Sequence, residues 1–442
     1  MIGITGSSGL ERRRFIRLLG ALGAATAGGG LASGCGSGNR SDRGPGGAKI
    51  RIGYLTPTTG ALASYGAADR FVIGAMRQFF AQNPIRVGGR SYPVEILDRD
   101  SQSNADRAAD LTDDLIANGG IQLMLVSAGA QTSSPVSDRC EANGLPCVST
   151  AAPWQPWFSG RARRPDTPLR WTYHFFWGLD DVEAVYADMW DRVGTNHRCA
   201  GLWPDDADGR TWGDPTSGFP AAQTGRGYDF IEARPFATGN QNFSRLIGSF
   251  VAADPDVLVG VPDSADFSTF WKQAGQLGFR PKIATIGRAL AFPFGVEALG
   301  ELGVDLATEV WWSPQHPFTS SLTGQNAQQL ADAFTVATGK QWTQPLGFAH
   351  ALFEVAARAF GTANAIDDRA GLAAAISRMK IDTVVGPLDW TTGPVPNVAL
   401  TPLVGGQWRT GTSNPFELTI VSNERSPDIP AAGEVRPLGS VG

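Results

Sequence analysis

The stretch YPVEILDRDSQSNADRAADLTDDLIANGGIQLMLV, residues 92–126, carries the reading of the fold. Tyr92 to Leu97 reads as a strand that stops at Asp98 and Asp100, acids placed to cap a loop. Ser103 or Asn104 is positioned to cap a helix, and Ala108, Leu111, Leu115 and Ile116 then fall on one helical face. Ile121 to Val126 is a continuous apolar run, as a parallel strand covered on both faces requires. Strand, helix and strand in this order make one βαβ unit.

The same rhythm extends in both directions. Upstream, KIRIGYL at 49–55 alternates and turns at Pro57-Thr-Thr-Gly60, and the spacing of Phe71, Ala75 and Phe79, widened by Val72, Met76 and Phe80, predicts a helix over 66–81. Downstream follow a helix over 134–142, strands at 147–151, 199–203 and 228–233, a helix over 242–252, a strand at 256–261, a helix over 266–277 and a strand at 282–286. Such alternation predicts an α/β fold built on parallel sheets. About 400 residues of it exceed one comfortable core and divide into two lobes. Ligands of open α/β sheets sit at the carboxyl ends of the strands, here in the crevice between lobes.

Composition excludes several classes. The 442 residues are 42% hydrophobic and 18% charged, and beyond the N-terminal region no apolar run reaches the roughly 18 residues of a membrane helix. Gly 55 and Pro 29 without a collagen period imply many tight turns. The net charge of −5 includes Arg12, Arg13, Arg14 and Arg17, which lie in a leader expected to be removed. Elsewhere the basic clusters reduce to Arg161, Arg163 and Arg164, which argues against nucleic acid as a partner. No nucleophile elbow, phosphate loop, zinc-protease motif or dinucleotide fingerprint occurs, so neither an enzyme nor a cofactor is expected. The histidines at 174, 197, 316 and 350 are scattered and no Cys-x-x-Cys is present, so no metal site is expected. Asp205-Asp206-Ala-Asp208-Gly209 reads as a polar turn, because a calcium-loop register would place Pro204 at position one.

The N-terminus reads as an export address. A basic stretch from Glu11 to Arg17, a short Gly/Ala-rich apolar segment and Leu31-Ala32-Ser33-Gly34-Cys35 are the parts of a secretory signal. Arg12-Arg13 with Phe15 resembles a twin-arginine signal, with Ile16 and Arg17 as mild departures. Small residues before Cys35 resemble a lipobox, although Leu31 lies one residue too far upstream, and Ala25-Thr26-Ala27 offers an ordinary cleavage site instead. The expectation is a signal over 1–34, lipidation at Cys35 and a flexible Gly/Ser/Arg-rich tether over 35–48. Export permits disulfides. The turn Glu-Ala-Asn-Gly-Leu-Pro between Cys140 and Cys147 admits either a bridge, which is the expectation, or two buried thiols. Cys199 reads as core.

Thirteen tryptophans include Trp154 and Trp157 in APWQPWF, Trp177 in YHFFWGLDD and Trp212 in GRTWGD. These four fall on predicted strand-to-helix loops, where an indole offers a flat apolar wall and one N–H donor to a small organic ligand. Trp190, Trp271, Trp311 and Trp312 read as lobe core.

With these residues in place, residues 49 to about 421 resemble the type I periplasmic binding proteins of ABC importers, specifically the branched-chain amino-acid (leucine/isoleucine/valine) binding family. The segments that carry the resemblance are RIGYLTPTTGALASYG at 51–66, VEILDRDSQSNADRAADLTDDLI at 94–116, LMLVSAGAQTSSPVSD at 123–138, NGLPCVSTAAP at 143–153, FWKQAGQLGFRPKI at 270–283 and VVGPLDW at 384–390. The resemblance implies two Rossmann-like lobes joined by three crossover strands, with residues 49–172 and 312–390 in the first lobe, 173–311 and 391–421 in the second, and a tail over 422–442. It implies capture of a small solute by lobe closure and delivery to a permease that works with an ATPase subunit at the cytoplasmic membrane. The protein is then expected as a monomer outside that membrane, periplasmic or on the cell surface. The same fold serves ligand-sensing receptors, the alternative, which would need a signalling segment where only a short tail follows residue 421.

Pocket roles transfer position by position. Tyr65 and Trp212 fall on pocket aromatics. The hydroxyls that grip an amino-acid carboxylate fall on Ala130 and Pro153, with Gln131, Thr132, Ala151 and Trp154 beside them. The acid for the ligand ammonium falls near Gly287, next to Arg288, and a third aromatic near Asp263, which could take over the ammonium. The resemblance therefore implies a carboxylate-bearing solute, aromatic ones included, held by Trp154, Trp157, Trp212 and Arg288 ahead of a plain aliphatic amino acid.

Overall fold

A computed structural model of the protein describes residues 47–161, 168–231 and 234–439. The export signal, Cys35, nearly all of the tether, and Arg163 and Arg164 lie outside them. The chain begins with β1 (Ile50–Thr56), α1 (Ala63–Gln82), a small hairpin of β2 (Ile85–Val87) and β3 (Arg90–Tyr92), β4 (Val94–Asp100), α2 (Ala105–Asp114), β5 (Leu123–Ser127), α3 (Ala130–Ala142), β6 (Cys147–Thr150), α4 (Trp154–Ser159) and β7 (Thr172–Phe175). It continues with α5 (Leu179–Trp190), β8 (Arg198–Leu202), α6 (Ala207–Trp212), α7 (Phe219–Thr224), β9 (Asp229–Ile231), α8 (Ser244–Ala253), β10 (Val257–Gly260), α9 (Ser264–Gln276), β11 (Ile283–Ile286), α10 (Pro293–Glu297) and β12 (Ala307–Val310). The last part holds α11 (Ala327–Thr338), α12 (Pro345–Thr362), α13 (Arg369–Ser377), a hairpin of β13 (Lys380–Thr383) and β14 (Gly386–Asp389), then β15 (Val398–Ala399), β16 (Val404–Thr410) and β17 (Phe416–Ser422).

The strands form two main sheets. The first has the order β15-β7-β6-β5-β1-β4 and is parallel throughout. The second has the order β17-β16-β12-β11-β10-β8-β9, parallel except for β16 and β17. Helices cover them as the apolar runs require: every residue of β5, β6, β10 and β11 is buried. Helix α2 starts where the sequence places it, with the Asn104 side chain accepting from the Arg107 N–H at 2.8 Å. Helix α1 turns Ala68, Val72, Ile73, Met76 and Phe80 inward. Phe71 and Phe79 are only half-buried, and Phe71 leans onto Phe334 of α11 at 5.3 Å.

Two expected lobe boundaries move. Thr172–Phe175 pairs with β6 and β15 in the first sheet, and Asn397 Nδ2 ties β15 in place by donating to the carbonyls of Leu169 and Thr172. The crossings therefore fall at 176–178 and 400–403 instead of 172 and 390, with the remaining one after β12, near the expected 312. The tail is also part of the second lobe: Ala432 donates to the Ile420 carbonyl, Gln407 and Arg436 exchange two hydrogen bonds, and Leu438 donates to the Lys282 carbonyl. Cys140 and Cys147 correct a third expectation. They are free, fully buried thiols in one apolar cluster with Met124 and Val136, so their turn joins helix to strand without a bridge. Cys199 is buried core, as read.

A carboxyl group lies inside the first lobe. Asp69 on α1 is fully buried and accepts from Tyr54 Oη at 2.8 Å. Burial pushes its pKa from 3.8 to about 7, with the hydroxyls of Thr56, Tyr54 and Ser127 holding it back. The folded state thus keeps a proton that the unfolded state releases, and this part of the stability is lost as pH rises from about 4 to about 7. Its ceiling is on the order of 4 kcal/mol. Asp69→Asn should flatten the decline in unfolding free energy over that range, as urea titrations at several pH values would show; a slope identical to wild type would mean that Asp69 is ionised in the native state.

Candidate functional site

The loops at the carboxyl ends of the two parallel sheets face each other and enclose a cavity. From the first lobe come Leu62 and Tyr65 after β1, Gly129, Ala130 and Gln131 after β5, and Ala151, Ala152 and Pro153 after β6, with Phe176 and Trp177 on the crossing after β7. From the second come Asp208 and Trp212 on α6, Val261 after β10, Arg288 and Ala291 after β11, and Glu309 and Trp311 at the end of β12. The enclosed volume is about 60 Å³. Ligand clefts commonly hold roughly 300–1,000 Å³, so the aromatic walls here meet almost completely. Phe176 packs on Trp177 at 4.8 Å and edge-on against Trp311 at 5.1 Å, while Tyr65 meets Phe292 across the cleft at 5.1 Å. A wider mouth of about 390 Å³ shares Leu62, Tyr65, Gln131 and Arg288 with the cavity and is edged by Asp263 and Phe294.

The two walls have opposite polarity. On the first-lobe side, α3 points its N-terminus at the cavity through Gly129, Ala130 and Gln131, with no side chain capping it. Uncapped N–H groups and the helix dipole favour a negative group there. The Trp177 indole N–H is buried without a partner beside them. On the second-lobe side stand carboxylates. Arg288, its side chain 17% exposed, donates through Nη1 to Asp206 at 2.9 Å and Asp208 at 3.2 Å, and its buried Nε lacks a partner. Burial alone would lower the pKa of Arg288; Asp208 and Asp206 outweigh it and hold the guanidinium charged. Glu309, 3% exposed, accepts from Tyr186 Oη and from Thr308 Oγ1, and burial pushes it up to about 7. Burial also raises Asp208 in spite of Arg288. Three carboxylates against one guanidinium leave this wall short of positive charge.

The position next to Arg288 is informative. A Cβ on Gly287 would lie 2.8 Å from Trp212 Cη2 and 3.3 Å from Glu309 Oε2. An acid therefore does stand where the sequence appeared to lack one, supplied by the neighbouring strand. Arg288 itself has φ of 49°, a conformation rare outside glycine, as does Ala151 at 62° on the opposite wall.

A periplasmic binding protein family model matches residues 49–411. The chain belongs to the periplasmic binding proteins. Its fold is the type I arrangement, seen in solved structures that share little sequence with it. A leucine-binding protein from Thermotoga maritima is 18% identical, with a TM-score of 0.68 over 85% of this chain and 99% of that one. The branched-chain amino-acid transporter substrate-binding protein from Streptococcus pneumoniae, in complex with isoleucine, is 14% identical, with a TM-score of 0.67 over 84% and 100%. A solute-binding protein of an ABC transporter from Rhodopseudomonas palustris, in complex with 3,4-dihydroxybenzoic acid, is 16% identical, with a TM-score of 0.65 over 86% and 99%. No curated protein matches the sequence. Among the described residues, no helix is long and apolar enough to cross a membrane. The protein is thus a periplasmic binding protein with the type I fold.

In this binding protein Tyr65, Ala130, Gln131, Ala151, Pro153, Trp177, Trp212 and Arg288 line the cavity together. Other candidates stand elsewhere. Trp157 is fully buried, donates from Nε1 to Ser137 Oγ at 3.1 Å and stacks on His174 at 4.6 Å. Trp154 packs beside it against Phe158, and its ring covers the backbone of Gly178. Both belong to α4, and a helix in place of the expected loop turns them toward the lobe's own core. Thr132 is buried inside α3, and Asp263 is the N-cap of α9, accepting from Ala265 and Asp266 at the mouth. Trp311, read as core, lines the cavity, as do Asp208 and Glu309, which sequence reasoning missed. A lone Glu within the buried strand ATEV was the available signal. Asp206 caps α6 by accepting from Gly209, which makes the polar turn a helix start.

Gly287→Ala places a methyl group against Trp212 and Glu309. Overpacking of this kind should cost about 1–3 kcal/mol, read as a lower urea midpoint at unchanged m-value. An unaltered midpoint would show that Trp212 can withdraw.

Proposed function

We propose that the protein is the extracytoplasmic solute receptor of an ABC importer and that its ligand is a small dipolar acid, an amino acid in its simplest form. The opposed polarity of the cavity walls supports this reading. The α3 N-terminus and the Trp177 N–H suit a carboxylate, and Glu309 with Asp208 suits an ammonium group on the far wall. Phe176, Trp212, Trp311 and Tyr65 leave an apolar remainder between them. The Arg288 grip expected from sequence is weaker in this light, because two carboxylates already engage that guanidinium. Leucine-binding and benzoate-binding neighbours share the fold, so both classes belong in the test.

The proposed cycle runs by lobe closure. A ligand that touches both walls stabilises the closed arrangement, and the three crossings absorb the hinge motion. A cavity of about 60 Å³ means that the lobes or the aromatic side chains move to admit a ligand. The leader is proposed to export the chain through a twin-arginine route and to leave it anchored through a lipid on Cys35. The monomer then works close to its permease.

Calorimetry with phenylalanine, leucine, phenylpropionate, phenethylamine and 4-hydroxybenzoate would decide the ligand class. Loss of either charge should cost about 1.5–3 kcal/mol, roughly ten- to hundredfold in affinity. Glu309→Gln should weaken the amino-bearing ligands by a similar factor and leave the plain acids nearly unchanged. Tightest binding of an acid without an amino group would overturn the dipolar reading and restore Arg288 as the main grip.

A further inference from the structure

Away from the cavity, the second lobe holds a buried carboxyl group with an unpartnered oxygen. Glu183, near the start of α5, is 7% exposed, and its Oε1 is buried without a hydrogen-bond partner. Burial, with Asp180 close by, pushes its pKa up to about 8. A buried carboxyl in this position stays protonated or takes a cation.

Glu183 lines a groove of about 590 Å³ between the lobes, none of whose lining residues lines the cavity. Gln155 of α4 supplies the first-lobe wall, and Asp180, Arg210 and Asp214 stand with Glu183 on the second-lobe wall. Gln155 is held in place: its Oε1 accepts from the Leu179 N–H at 2.8 Å, and its Nε2 donates to Asp180. Asp214 is kept ionised, its pKa lowered by hydrogen bonds from Thr216 and Ser217. Arg210 donates through Nη1 to Asp205 at 2.8 Å, an acid that does not line the groove. The wall therefore presents three carboxyl groups and one guanidinium that is already engaged.

The spacing of these acids selects among cations. Among the described residues, no group of three or more His, Cys, Asp or Glu side chains is close enough to hold a metal ion. An alkylammonium or guanidinium group, whose N–H donors point in several directions on a carbon frame, can reach carboxylates set further apart. We propose that this interlobe groove is a second binding site, for a small organic cation of the diamine or guanidine class, with Glu183 as its buried anchor and Asp180 and Asp214 at its rim.

Putrescine and agmatine are the probes, titrated calorimetrically into the purified protein at moderate salt. At least one should bind saturably, with one site per chain. Glu183→Gln should weaken that binding at least tenfold. Asp214→Asn, at the rim, should weaken it several-fold without disturbing the interior, so it decides the matter if the first variant fails to fold. Gln155→Ala should also weaken it, because the groove needs both lobes. Calcium and magnesium should shift the melting temperature no more than sodium chloride of equal ionic strength. Absence of saturable binding by both probes, equal affinity in Asp214→Asn and Glu183→Gln, or tighter binding of calcium than of either organic cation would each overturn the proposal. Because no residue of the cavity is involved, these results stand whichever solute the cavity takes.

Discussion

Arg288 is buried at the cleft only because Asp206 and Asp208 meet it, and much of the second-lobe wall follows from that pairing. Asp206 is the N-cap of α6 and Asp208 lies in its first turn, so the ion pairs that satisfy the guanidinium also fix the start of this short helix. Trp212 closes the same helix. Its ring reaches over Gly287, where the missing side chain leaves room, and comes to rest beside Glu309. One electrostatic constraint thereby positions an apolar wall and a carboxylate that are distant in sequence. Removing Arg288 would leave two half-buried acids without their counter-charge, a larger disturbance than the loss of one ligand contact.

Much of the scaffold was legible in the sequence, because parallel strands covered on both faces must be continuous apolar runs and amphipathic helices must repeat their apolar face. The strands at 123–126, 257–260 and 283–286 have no other way to be satisfied. The cavity was legible where the family resemblance transfers a position near a strand end, as at Tyr65 and Gln131, and where an indole falls on a strand-end loop, as at Trp177. It was obscure where a side chain's direction depends on local helix geometry. The two prolines of APWQPWF suggest a loop, yet Pro153 and Pro156 fall at the edge and inside of a single helical turn that carries Trp154 and Trp157 inward. Glu309 was hidden for another reason: whether the last residues of a short buried strand face the core or the cleft depends on where the strand ends. The lobe boundaries moved because Asn397 pins a two-residue strand that has no periodicity to read.

The meeting of the aromatic walls bears on the energetics of capture. Phe176, Trp177, Trp311 and Phe348 pack against one another where the crossings leave the first lobe, and Tyr65 meets Phe292 across the cleft, so under the proposed closure part of the apolar contact belongs to the protein itself. A solute then contributes only the difference between its own contacts and those it displaces. Polar complementarity becomes the more selective part of that difference, since the cleft can bury apolar surface with its own side chains but cannot supply the missing positive charge from within. Family membership fixes the architecture and leaves this charge balance to the individual chain.

The three cavity tryptophans also give the molecule a built-in optical signal. Trp177 and Trp311 sit on crossings and Trp212 on the second lobe, all nearly shielded from water, and they line one cavity with Glu309, which lies beside the Trp212 ring. Any separation of the lobes wets indoles that are otherwise dry and changes their distance from a quenching acid. Three of the thirteen tryptophans therefore make the emission of the unlabelled protein sensitive to how far the cleft is open, without a dye or an engineered label.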